Sequence, residues 1–132
     1  MDIGGRAHPW MPVTPGRILA AMAMPHAAPG QIVDVGPHGA DLMREATVAL
    51  FKGDDLEVMR LVLQAGKSLP PHKVPGEITL HCLEGAVDVT SDGVSHVLRA
   101  GQLLYLRGDA LHGVRALEDC SALVTIALKP KK

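Results

Sequence analysis

From residue 46 onward the chain is a succession of short apolar runs, each closed by a turn rich in glycine or aspartate. That cadence is the feature that most limits what the chain can become. Runs of four to eight residues are too short for packed helices, and turns at such close, regular spacing suit an antiparallel sandwich or barrel. The runs lie at 46–51, 56–63, 78–83, 86–90, 94–98, 103–106, 113–116 and 121–128, which predicts about eight strands. Lys52-Gly53-Asp54-Asp55 and Ser91-Asp92-Gly93 read as hairpin turns, because a tight antiparallel connection needs positive φ and Asp-Gly supplies it at low cost. The stretch from Gly66 to Pro71 reads as a loop, since Pro70 and Pro71 have no N–H to donate and cannot sit in a central ladder.

Before this pattern the texture is different. Pro9, Pro12, Pro15, Pro25, Pro29 and Pro37 alternate with glycines and little periodicity. Residues 1–40 therefore read as an irregular arm, with one short helical turn expected at 18–24, and residues 41–132 as the β domain. The tail Lys129-Pro130-Lys131-Lys132 reads as solvated.

Composition excludes several classes of function. At 132 residues there is room for one domain. A net charge of -1 gives no field to gather nucleic acid or an anionic membrane. Aromatic residues make up 2%, namely Trp10, Phe51 and Tyr105, too few for base-stacking platforms. No apolar run approaches the ~20 residues of a membrane helix. Cys82 and Cys120 are too few for a disulfide framework and read as reduced thiols in a cytoplasmic protein.

Two segments carry a family resemblance. Gly66, five residues, His72, an apolar strand and Glu84-Gly85 resemble the first motif of the cupins. Gly101, five residues, Arg107-Gly108-Asp109, two residues and His112 resemble the second. The resemblance covers about residues 45–128 and implies an all-β, antiparallel jelly-roll barrel, often dimeric, with a pocket in its mouth. It also implies a site of three histidines and one carboxylate or amide around a divalent transition metal, which is sound chemistry for imidazole and carboxylate donors.

The match at the site is partial. His72 and His112 occupy the first and last histidine positions. Val74 stands at the second histidine and Ile78 at the carboxylate or amide, while Ala116 stands at the asparagine of the second motif. Glu77 is one residue from the carboxylate position, but period-two alternation aims it at the opposite face. The expected metal donors are thus His72 and His112, with Glu77 weaker, and the expected pocket is His72, Val74, Ile78, Leu80, Cys82 and His112. Such a pocket is apolar with a few polar groups, as small-molecule sites usually are. The first expectation is a small-molecule binding protein without a complete metal site. The alternative is a metal-dependent dioxygenase or isomerase using His72 and His112, with one imidazole as general base.

The remaining polar residues have plainer expectations. Arg60 interrupts an apolar strand: it could bind a substrate carboxylate if Val58, Arg60, Val62 and Gln64 face inward, and reads as a surface residue, the favoured expectation, if Met59, Leu61 and Leu63 do. Lys73 is expected to point towards Glu77 or Glu84. His81 has the outward parity and is expected to face a neighbouring sheet or a dimer partner, while His8, His26, His38 and His96 read as surface or arm residues. A homodimer is expected, and the resemblance to the cupins implies that the N-terminal strand pairs with the partner's sheet, covering edges that otherwise invite aggregation.

Overall fold

The structure, a computed structural model, describes residues 26–128. Nine strands follow a short 3-10 turn at Gly39–Arg44: β1 (Val48–Lys52), β2 (Leu56–Leu63), β3 (Ser68–His72), β4 (Ile78–Glu84), β5 (Ala86–Ser91), β6 (Val94–Arg99), β7 (Leu103–Leu106), β8 (His112–Ala116) and β9 (Cys120–Ala127). They form two antiparallel sheets, one in the order β1-β2-β9-β4-β7 and the other β3-β8-β5-β6. This is the jelly-roll barrel that the strand cadence and the motifs predict. The helical turn expected at 18–24 lies outside the described residues.

Alternation builds the core. Met59, Leu61 and Leu63 of β2, Ile78, Leu80 and Cys82 of β4, and Cys120, Val124 and Ile126 of β9 line one inner face. Val87, Val89, Leu98, Val114 and Ala116 line the other. The β5–β6 hairpin turns through Asp92 and Gly93, both at positive φ, as the Asp-Gly signal requires.

Three expectations need correction. The first is the loop at 66–71, which is instead largely strand: Ser68–His72 pairs with β8. The two prolines are accommodated because β3 is an edge strand and its register shifts between Leu69 and His72. An edge with a bulge is where missing N–H groups cost least.

The second correction concerns Arg60. Met59, Leu61 and Leu63 do face inward, yet Arg60 on the opposite face is only 4% exposed. The arm segment around residues 36–39 crosses the outer face there. Arg60 Nη2 donates to the Gly36 carbonyl at 2.7 Å, to Ser121 Oγ at 3.1 Å and to Glu84 Oε2 at 3.2 Å. The Glu84 carboxylate also accepts from the Ser121 hydroxyl and from the backbone N–H groups of His38 and Gly39, each of these last two at 3.0 Å. A bulge makes this possible. The β4–β9 register shifts between Cys82 and Glu84, so Glu84 pairs with Ser121 and its side chain emerges on the outer face instead of following Cys82 inward.

Lys73 is the third correction. It is exposed and makes no ion pair among the described residues, because Glu84 is held by Arg60 and Glu77 by Tyr105.

Candidate functional site at one end of the barrel

β3 ends and β8 begins at the same end of the barrel, and their pairing sets His72 directly opposite His112. Residues opposite one another in an antiparallel ladder project to the same face. His112 shares that face with Val114 and Ala116, which are core residues, so both imidazoles belong to the inner face. Their ring centroids are 4.7 Å apart with the planes tilted by 51°. His112 is 1% exposed, and its Nδ1 lies 2.9 Å from the Ala110 carbonyl oxygen, which fixes the ring. His72 is half-buried.

The inner row continues past the histidines. Ser91, the last residue of β5, pairs with His112 across the β5–β8 ladder and is buried. Ser91, His112 and His72 therefore form a polar row across three strands at the end of an apolar interior. From sequence Ser91 reads as part of the turn with Asp92 and Gly93. The signal was available in the period-two series Val87, Val89, Ser91. On the facing sheet Glu57, also buried, shares its row with Ile126 and Ile78. It too was hidden inside an apolar strand.

The other expected pocket residues are closely packed. Ile78, Leu80 and Cys82 are buried in the core, and Val74 packs against it. Glu77 does not join the imidazoles. Its carboxylate accepts the Tyr105 hydroxyl at 3.1 Å on the outer face, a hydrogen bond that raises the Tyr105 phenol above its usual value. Burial pushes the Cys82 thiol up, and its Sγ donates towards the Glu84 carbonyl. Burial also drives Cys120 up to about 12, so neither thiol offers a ready thiolate. Among the described residues no three His, Cys, Asp or Glu side chains come together as a metal site. Two imidazoles without a third donor do not fit the three- or four-ligand sets of transition-metal centres.

A barrel with two sheets in this order and a histidine at each of two motif ends defines a class, and sequence comparison identifies it. Residues 59–127 match the cupin domain family, and the chain belongs to that family. A segment of 52 residues is 52% identical to the dimethylsulfoniopropionate lyase DddW of Ruegeria pomeroyi, covering 39% of this chain and 34% of that one. The chain thus spans about a third of that relative. Among solved structures, a conserved protein of unknown function from Streptococcus pyogenes superposes with a TM-score of 0.64 at 20% identity, over 83% of this chain and 99% of that one. An RmlC-like cupin from Desulfovibrio desulfuricans does so with 0.62 at 27% identity, over 74% and 97%. Among the described residues no helix is long and apolar enough to cross a membrane.

Proposed function

We propose that this end of the barrel binds a small, largely apolar organic molecule through one anionic or hydrogen-bonding group, recognised by His72 and His112 without a complete metal site. The observation that carries the reading is the pair of adjacent imidazoles, 4.7 Å apart, at the end of an interior of Val, Ile and Leu. A few convergent polar groups on an apolar wall are how small-molecule sites fix a ligand's orientation. Ser91 adds a hydroxyl to the same row. The test is thermal unfolding against a panel of small carboxylates and zwitterions, dimethylsulfoniopropionate among them. A saturable rise in Tm for wild type that disappears in His72→Ala and His112→Ala supports the reading. A rise that survives in both variants contradicts it.

A second reading is favoured by the 52% identity to a segment of a lyase. An imidazole at this end would take the proton from the carbon next to a carboxylate while the β carbon–sulfur bond breaks, releasing dimethyl sulfide and leaving acrylate. His72, the more accessible ring, is the base in this reading. Headspace gas chromatography on protein incubated with dimethylsulfoniopropionate decides it. Dimethyl sulfide formed by wild type and absent from His72→Ala supports catalysis, and none above the protein-free control contradicts it.

A homodimer through the outer face of the five-stranded sheet completes the proposal. That face carries Val58, Leu123, Leu103 and Tyr105, the last two 65% and 57% exposed. The outer face of the other sheet carries Asp88, Thr90, Ser95 and Arg115 alongside Val97. The arm crosses this face at Arg60 and Glu84, and the exposed Leu103 and Tyr105 on its β7 side favour burial against a second copy. Sedimentation equilibrium showing only monomer contradicts it.

A further inference from the structure

A concavity that His72 and His112 do not line lies where the 3-10 turn meets the barrel. Its volume is about 390 Å³, within the range of small-molecule sites. Leu42 and Met43 of the 3-10 turn (its roof) and Leu63 of β2 and Leu69 of β3 (its floor) line it together with the polar Thr47, Gln64 and Ser68. Lys67, exposed on the turn between β2 and β3, and Glu45 also line it. Glu45 already has a partner, whereas Lys67 makes no ion pair among the described residues. The roof is held in place before any ligand arrives. Glu84 grips the backbone of His38 and Gly39 at its start, and the Glu45 N–H closes on the Leu42 carbonyl at its end.

We propose that this cleft binds a medium-chain carboxylate, its hydrocarbon between the roof and the floor and its head on Lys67. The leucines of the lining gain from displacing water, and the methionine adapts to chain shape. A free ammonium in the lining selects an anionic head over a neutral one. The prior anchoring of the roof lowers the ordering cost of binding. The proposal is independent of the reading at His72 and His112.

Isothermal calorimetry of the full chain with octanoate tests it, with 1-octanol as the uncharged control. Octanoate is expected to bind saturably and more tightly than octanol. Lys67→Glu, on an exposed side chain, is expected to weaken octanoate by about tenfold or more, the scale of one lost charge-assisted contact. Met43→Trp fills the cleft from the roof and is expected to abolish binding, with the circular dichroism spectrum checking the fold. Octanoate also matches the ligand class proposed for the His72–His112 end, so the titrations are repeated in a His72→Ala background, where the cleft is expected still to bind octanoate and binding to stay sensitive to Lys67→Glu. No saturable heat, equal binding of octanol, or wild-type affinity in Lys67→Glu overturns the proposal. Loss of octanoate binding in His72→Ala with affinity retained in Lys67→Glu also overturns it, and assigns the ligand to the other end of the barrel.

Discussion

Arg60 and Glu84 meet at 3.2 Å on the outer face of the five-stranded sheet, with side chains only 5% and 14% exposed. Two charges so far withdrawn from water depend on each other, because removing one leaves the other buried without its counter-charge. Arg60→Met is therefore expected to cost about 3–5 kcal/mol, the usual scale for breaking a buried pair. In a Glu84→Gln background the same substitution should cost clearly less. Urea denaturation of the four proteins measures the coupling, and additive costs would contradict it.

The same pair sets an acid limit on stability. Burial works to raise the Glu84 carboxyl, but hydrogen bonds from Ser121, the His38 and Gly39 amides and Arg60 outweigh it and hold the group below its ordinary value of 4.5. A depressed folded-state value means the unfolded chain binds the proton more readily. The stabilisation is thus full above the ordinary value and is lost as pH falls below it, through the lowered one. Thermal unfolding of wild type against Glu84→Gln should show a gap that narrows as the solution is acidified. A gap independent of pH contradicts this.

Gly85 closes β4 at φ +76, and a methyl group there would lie 2.1 Å from the Asp119 carbonyl oxygen. Gly85→Ala is expected to cost at least about 1–3 kcal/mol from backbone strain alone, with the clash added. Gly93 also has positive φ but faces open space. Gly93→Asn should be far milder, since asparagine tolerates that conformation. Equal losses in the two variants would show that contact with Asp119 is not what requires Gly85.

Both thiols are buried and raised, Cys120 to about 12. Labelling with a thiol-reactive chromophore at mildly alkaline pH should be slow in the native protein and rapid in denaturant. Fast labelling of either thiol in the native state would place it in an accessible setting at odds with the packing.

Much of the fold was legible because alternation and turn chemistry are local. The inward series Ile78, Leu80, Cys82 and the Asp92-Gly93 turn follow from residues next to one another. Features that depend on register were not legible. The bulge between Cys82 and Glu84 turns Glu84 outward, and no period-two count reveals it. Arg60 looked like a surface residue because its burial comes from an arm segment some 24 positions earlier in the chain. At the site, the motifs identified His72 and His112, but motif spacing carries no information on Ser91 or Glu57. Those two were brought into the inner rows by pairing across strands.

In this proposal two imidazoles, with no third donor among the described residues, recognise an organic ligand at the His72–His112 end of the barrel. Metal content by plasma mass spectrometry, on protein purified without a chelating column, tests it most directly when wild type is compared with the His72→Ala, His112→Ala double variant. Metal well below one ion per chain is expected in both. Near-stoichiometric metal in wild type, lost in the double variant, would contradict it.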